Sequence, residues 1–361
     1  MAKKIKQPLT NAQRRRKRRR TLIIIEVIVL LIVILFLVAW LKFGLISCES
    51  LGNLDKNNLS NETIDLLNGY KCIAFFGVDN RSNGNFDSGN SDSIMVACIN
   101  NDTKEVRVIS LYRDTSLMHK DNVIRKCNYA YNHGGYQEAI EMLNRNLDLD
   151  IQNYVAVDFN ALSDVIDDIG GVEITLTEEE AKLMNDDYIG EVAKITGKTS
   201  NGVAAGPQTL NGVEATAYCR LRYTSGGDFK RAERQRTVLS QMVNKIKTMS
   251  ATQALALATD ENVLKEISTS LSAKDIAILA SAMRDYTLGA TTGFPFDKTT
   301  GTYGSKGSLV VPCTLETNVS KLYFFLFNKE NYVPSETVHK ISQDIIDLTG
   351  KTEKSAEHDE Y

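Results

Sequence analysis

Residues 22–41 form a run of twenty residues that is apolar throughout except for Glu26. As a helix rising about 1.5 Å per residue it is roughly 30 Å long, the thickness of a bilayer's hydrocarbon core. A surface-packed core helix carries polar residues along one face, and this run has almost none. The twenty residues ahead of it hold ten basic side chains (Lys3, Lys4, Lys6, Arg14, Arg15, Arg16, Lys17, Arg18, Arg19 and Arg20) and no acid. Cations on that side keep the N-terminus in the cytoplasm and place the rest of the chain outside. Trp40 stands where an interfacial anchor belongs. The run exceeds the roughly 7–15 apolar residues of a signal peptide and is followed by no clear small-residue cleavage site. Leu45-Ile46-Ser47-Cys48 is similar to a lipoprotein cleavage box, but Lys42 interrupts the apolar run before it. The expectation is a single-pass protein of the cell membrane. Its parts are a cytoplasmic tail over 1–21, a transmembrane helix over 22–41, a polar spacer over 42–69 and an extracellular body over 70–335. A C-terminal helix and polar tail over 336–361 complete it, frayed at its end.

The tail masks the charge of the body. The net charge of the chain is −3, yet the 341 residues after position 20 carry 32 basic against 45 acidic groups, or −13. So acidic a body is a poor partner for nucleic acid, whose phosphates demand a basic face. With 43% hydrophobic and 24% charged residues, the composition also excludes wholesale disorder and a polytopic membrane protein.

Strand and helix signals alternate through the body. Continuous apolar runs at 72–78, 94–99 and 106–112 predict three strands, the second and third joined by Asn100-Asn101-Asp102-Thr103. Helical spacing covers 135–147, 161–169 and 229–249, with strands at 154–159, 172–176 and 309–311 and a further helix over 319–328. Helical signals dominate 251–286. The fold class is α/β or α+β, a single large domain with a central, mostly antiparallel or mixed sheet flanked by helices. The four histidines are scattered, and no CxxC pair or zinc spacing occurs. Cys72 and Cys98 stand at the ends of neighbouring strands, so either a disulfide or two plain buried thiols is compatible with their positions. Gly190 and Gly197-Lys198-Thr199 miss the P-loop pattern, because six residues separate the glycines instead of four.

Charged residues converge where the strands end. If the first two strands are antiparallel, Asp79 and Asp92 share one sheet edge, and the third strand returns Arg113-Asp114 to it. Arg81 belongs to the same edge. Singly, each is a turn former or a surface ion pair. A second cluster changes that. Eleven arginines follow residue 42, and five of them fall within 220–236. Arg220 and Arg222 alternate as on one face of a strand. Arg231 and Arg234 lie three apart on the helix after Asp228. Arginines near a helix N-terminus are unfavourable unless an anion is present, and the guanidinium fork suits phosphate oxygens. The pattern predicts a polyanion site, with diphosphate the natural ligand.

These stretches resemble the LytR-CpsA-Psr family of Gram-positive cell-wall enzymes. The resemblance rests on Phe76-Gly77-Val78-Asp79-Asn80-Arg81, Ser91-Asp92-Ser93, Ser110-Leu111-Tyr112-Arg113-Asp114 and Lys126-Cys127-Asn128-Tyr129-Ala130-Tyr131. Asp168-Ile169-Gly170-Gly171-Val172 and the stretch from Arg220 to Gln235 complete it. It covers 70–250 closely and 251–330 loosely. It implies a phosphotransferase that moves an anionic glycopolymer, such as wall teichoic acid or capsular polysaccharide, from a polyprenyl-diphosphate carrier to peptidoglycan. By the same resemblance Asp79 and Asp92 hold Mg²⁺ (or Mn²⁺). Arg81, Arg113, Arg220, Arg222, Arg231 and Arg234 neutralise the diphosphate with support from Gln235, and a hydrophobic cavity takes the polyprenyl tail. Arg113, Asp114 and Asp228 are the catalytic candidates, and Asp114 or Asp228 either accepts the proton of the attacking sugar hydroxyl or is an arginine's structural partner. Three positions depart from the family pattern: Tyr112 for a frequent proline, Ser93 for a threonine and Cys127 for an aliphatic residue. A lipid-diphosphate pyrophosphatase and a non-enzymatic envelope sensor or transcriptional attenuator are the alternatives.

Overall fold

The structure is a computed structural model that describes residues 47–48, 51–52, 54–79, 86, 89–250, 253–254, 257, 266–282 and 284–357. The basic tail, the apolar run 22–41, Arg81 and the last four residues lie outside the described residues. Among the described residues no helix is long and apolar enough to cross a membrane.

β1 (Ser47–Cys48) and α1 (Asn61–Asn68) precede a meander of β2 (Tyr70–Val78), β3 (Ser91–Asn100) and β4 (Glu105–Leu111). A hairpin of β5 (Ser116–Met118) and β6 (Ile124–Lys126) leads into α2 (Tyr129–Leu147), β7 (Asn153–Val157) and α3 (Phe159–Asp168). A second hairpin pairs β8 (Val172–Leu176) with β9 (Gly206–Leu210), with α4 (Glu178–Leu183) and α5 (Ile189–Thr196) between them. Then follow α6 (Gly212–Arg220), α7 (Gly227–Thr248), β10 (Ile267–Thr269), α8 (Ala273–Ser281) and β11 (Thr287–Phe294). A third hairpin, β12 (Lys298–Thr302) and β13 (Ser308–Pro312), precedes α9 (Leu315–Phe327) and α10 (Glu336–Thr349). The central sheet has the order β1-β10-β7-β2-β3-β4-β11. Its pairs are parallel at β1/β10, β7/β2 and β4/β11 and antiparallel elsewhere, so the sheet is mixed.

The two-residue period of the strands gives the sheet two apolar faces. Ala74, Phe76 and Val78 of β2, with Val96 of β3 and Ile109 and Leu111 of β4, enter a core closed by side chains of α2, α9 and α10. Their neighbours Phe75, Met95, Ala97, Val108 and Val155 point the other way and line a cavity with residues of α3, α6 and α7. Cys72 and Cys98 are directly paired across β2 and β3 and form a disulfide, with Cα atoms 4.1 Å apart.

Several elements differ from the sequence expectation. β7 stops at Val157 because Asp158 leaves the strand to cap α3, accepting from the Ala161 amide at 3.0 Å. α2 begins at Tyr129 and is interrupted at Gly134 and Gly135, the latter with φ +64°. Within 251–286, where helix was expected, β10 pairs with β7 through the β-branched Ile267 and Thr269. The tail is pinned as far as Glu357, whose amide donates to the Lys298 carbonyl at 2.9 Å.

Candidate active site

The meander brings distant carboxylates to one edge. β2 ends at Val78 opposite Ser91, and the Asp79 amide donates to the Asn90 carbonyl at 3.1 Å, which puts Asp79 beside the start of β3. Leu111, at the end of β4, pairs with Ile94 and delivers Arg113 to the same edge. β7 runs parallel to β2 and ends there too, with Val157 opposite Gly77. Gly77 faces Ser93, and a Cβ at this glycine would stand 3.0 Å from the Ser93 Cβ, so the strands close tightly just below the carboxylates.

Behind this edge lies a cavity of about 830 Å³. Its walls are apolar side chains of the sheet on one side and Leu162, Val165, Val238, Leu239 and Met242 of α3 and α7 on the other. Its polar end gathers Asp79, Asp92, Arg220, Arg222, Arg231 and Gln235. A long apolar pocket capped by a few convergent charges suits an amphiphile with an anionic head.

The charges at this end interlock. Arg113 Nη1 donates to Asp92 Oδ1 at 2.7 Å, and Arg231 Nη2 donates to the Asp92 carbonyl at 3.2 Å. Asp228 Oδ1 lies 2.9 Å from Arg231 Nη2, 3.4 Å from Arg113 Nε and 4.0 Å from Arg222 Nε. Arg220 pairs with Glu191 at 3.1 Å and stacks over the Phe159 ring at 4.7 Å. Burial opposes the charge on Arg113, but Asp92, Asp228 and Asp114 outweigh it and its pKa is raised. Burial, together with Arg113 and Arg222 nearby, lowers that of Arg231 despite Asp228. Three buried guanidinium nitrogens, Arg113 Nε, Arg220 Nη1 and Arg231 Nε, have no hydrogen-bond acceptor among the described residues. A buried unsatisfied donor costs about 1–3 kcal/mol, which an incoming oxyanion relieves.

The structure therefore brings together Asp79, Asp92, Arg113, Asp114, Arg220, Arg222, Asp228, Arg231 and Gln235, while Arg81 lies outside the described residues. Two placements differ from expectation. Arg220 and Arg222 are not on a strand: Arg220 is the last residue of α6, and Arg222 follows it in the loop. α6 starts from a capping box of Asn211 and Glu214, and Gly212 packs so closely on Ser163 that a Cβ would meet its carbonyl oxygen at 2.1 Å. Arg234 does not reach the cavity. It is 2% exposed, and its Nε holds Glu180 Oε1 at 2.9 Å. Its other nitrogens donate to the Leu221 carbonyl at 3.2 Å and Thr224 Oγ1 at 2.6 Å, which fixes the loop carrying Arg222. Glu191, Phe159 and Glu180 went unnoticed in the sequence: Phe159 ends the expected strand 154–159, and the two glutamates lie in a stretch to which no element was assigned.

The departures from the family pattern are absorbed locally. Tyr112 packs edge-on against Phe229 with centroids 4.5 Å apart, and its hydroxyl occupies the space beside Gly293, where a Cβ would stand 2.1 Å away. The Cys127 thiol, fully buried, donates to the carbonyls of Tyr112 and Arg113 at 3.3 and 3.2 Å and braces the Arg113 loop. Lys198, from the rejected P-loop match, is committed to Asp164 and Asp167 at 2.5 and 2.6 Å.

Among the described residues no group of three or more His, Cys, Asp or Glu could hold a metal. Asp79 and Asp92 nevertheless both present carboxylate oxygens to the cavity. Mg²⁺ is commonly held by one or two carboxylates with substrate phosphates and water, so this donor set fits it, and Mn²⁺ equally.

The LytR_cpsA_psr family matches residues 40–291. The chain is 28% identical over 269 residues to the polyisoprenyl-teichoic acid–peptidoglycan teichoic acid transferase TagV of Bacillus subtilis (strain 168), covering 70% of this chain and 66%, just under two thirds, of that protein. A crystal structure of a Streptococcus agalactiae protein is similar with a TM-score of 0.63 at 22% identity, covering 78% of this chain and 95% of that one. The family protein YwtF (TagT) of Bacillus subtilis, solved with bound octaprenyl pyrophosphate lipid, is similar with a TM-score of 0.52 at 17% identity, covering 84% and 99%. The two structures share the fold of this body, and the family match extends over more than half of the sequence: the chain belongs to the LytR-CpsA-Psr family.

Proposed function

We propose that this chain is a phosphotransferase that moves an anionic glycopolymer from a polyprenyl-diphosphate carrier to peptidoglycan, outside the cell and tethered by a membrane span over 22–41. One observation carries the reading: three buried guanidinium nitrogens without acceptors stand at and beside the head of an apolar cavity of about 830 Å³. The teichoic acid transferase activity of the TagV relative and the lipid bound to TagT support it. Wall teichoic acid, capsular polysaccharide or a similar anionic polymer is the cargo.

In this reading the prenyl chain enters the cavity and is shielded from water by the sheet face and α7. Arg220, Arg222 and Arg231, with Gln235, meet the diphosphate oxygens, and Arg113 reaches the phosphorus to be attacked. Such donors are preorganised by Asp92, Asp228 and Glu191, so little reorganisation accompanies the build-up of charge. Asp79 and Asp92 would hold Mg²⁺ or Mn²⁺, which supplies charge neutralisation at the diphosphate oxygens. The energy resides in the diphosphate linkage, so no nucleotide is needed. Tethering to the membrane that contains the carrier raises the effective concentration of the donor.

The test is incubation of purified protein with a lipid-diphosphate glycan, with and without a peptidoglycan oligomer, in Mg²⁺ and in chelator. A metal-dependent adduct of polymer and peptidoglycan is expected. Free phosphorylated polymer regardless of acceptor would make the chain a pyrophosphatase instead, and absence of turnover under every condition would favour a sensor.

A further inference from the structure

A second pocket, of about 550 Å³, is lined in part by Arg113. It is lined by Asp114, Lys126, Asn128, Tyr129 and Lys306 together with Arg113, and is polar where the first cavity is apolar. Asp92 lines the first cavity and Arg113 the second, so their 2.7 Å ion pair forms the wall between them. The stretch from Lys126 to Tyr131, noted in the sequence without a role, supplies three of the lining residues.

The chemistry of this pocket is that of an acidic saccharide site. Tyr129 is 37% exposed, and its ring is held between Arg125, 5.3 Å from the centroid, and His133, stacked at 5.4 Å. With its faces taken, the exposed ring edge and hydroxyl are what Tyr129 offers to the hydroxyls of a saccharide. Lys306 Nζ donates to the Ile124 carbonyl at 2.8 Å and meets no carboxylate among the described residues, so its charge is available to an anion. Lys126 Nζ lies 3.1 Å from Asp114, the one acid of the lining.

We propose that this pocket is the acceptor subsite, binding the carboxylate-bearing saccharide chain that receives the polymer, with Asp114 as general base. The inference rests on the transfer reading. In phosphoryl transfer the attacking and leaving oxygens are roughly in line. Polyprenyl phosphate departs toward the apolar cavity, so the nucleophile arrives from the opposite side, across Arg113. The acceptor hydroxyl oxygen forms the new bond to phosphorus, and the bond from phosphorus to the bridging oxygen breaks, that oxygen leaving on polyprenyl phosphate. The hydroxyl proton passes to Asp114 and then to solvent. Asp228, enclosed by Arg113, Arg222 and Arg231, is placed to hold guanidinium groups, whereas Asp114 faces the pocket.

The experiment uses the full chain in detergent, with Lys306→Ala and Tyr129→Ala, a lipid-diphosphate disaccharide donor and a muramyl-peptide oligomer acceptor. Steady-state kinetics varies each substrate in turn, and calorimetry measures binding of the oligomer alone. Each substitution should raise the acceptor KM at least tenfold relative to the donor KM and weaken oligomer binding by a similar factor. A rise confined to the donor KM would assign the pocket to the donor's own polymer and overturn the proposal. Acceptor binding within twofold of wild type in both variants would also overturn it. Because the binding arm needs no turnover, a protein that hydrolyses donor without transfer defeats the functional reading separately. Lys306→Arg, which keeps the charge, should restore most of the lost affinity, a rescue that a folding defect would not show.

Discussion

Arg231 and Arg234 stand three residues apart on one helix, about 60° apart around its axis, and that angle separates two fates. Arg231 turns to Asp92 and Asp228, while Arg234 turns to Glu180, whose other oxygen closes the capping box of α4 by accepting from the Thr177 amide at 3.0 Å. Removing one partner of a buried pair leaves the other charge stranded, so Arg234→Ala should cost about 3–5 kcal/mol in urea unfolding. Glu266 gives a second prediction. Burial and the neighbouring Asp158 carboxyl push its pKa up to about 8 from 4.5. The folded protein thus keeps a proton that the unfolded chain releases near pH 4.5, and this contribution is intact below 4.5 and is lost as the pH rises to 8. Between pH 5 and 8 the melting temperature should fall more steeply in the wild type than in Glu266→Gln. Identical slopes would remove Glu266 from the account. The meeting of Asp79, Asp92 and Arg113 was legible in the sequence, because an antiparallel meander returns the end of β2, the start of β3 and the end of β4 to one edge. The partner of Arg234 was not, since Glu180 follows two other glutamates in what looks like a solvated turn.

At the scale of elements, the strand over 172–176 was legible to the residue, that at 94–99 fell inside β3, and that at 106–112 overran β4 by Tyr112. α6 was not legible. Residues 212–219 are all buried, so the helix has no polar face and therefore no period to detect. The β10 strand was hidden for a related reason, being three residues long and made only by its pairing with β7 and β1. The disulfide between β2 and β3 became certain only once the register set Cys72 opposite Cys98. It closes a 26-residue loop that includes the segment between Asp79 and Asp92, and loop entropy of that size contributes about 2–4 kcal/mol. The double substitution Cys72→Ser with Cys98→Ser should lower unfolding free energy by that amount in denaturant titration.

At the scale of the molecule, the cavity was expected from family resemblance but could not be traced to residues. Its walls combine strands 70–111 and 153–157 with helices from 159 onward, and only the packing of α3, α6 and α7 over the sheet creates the space. Leu239 of α7 reaches across this gap toward Met95, Ala97 and Val108. Leu239→Trp should therefore block the apolar end and raise the KM of a long-chain prenyl donor at least tenfold relative to a short-chain one. Equal effects on both donors would move the lipid elsewhere. The salt links at the polar end have a further result. Arg113, Arg220 and Arg231 each already rest against a carboxylate of the same chain. Inorganic phosphate or sulfate gains only the unfilled guanidinium nitrogens and is repelled by the carboxylates beside them. An anion with a hydrocarbon tail offsets that repulsion by burying the tail, so common small oxyanions are screened out before any sugar is inspected.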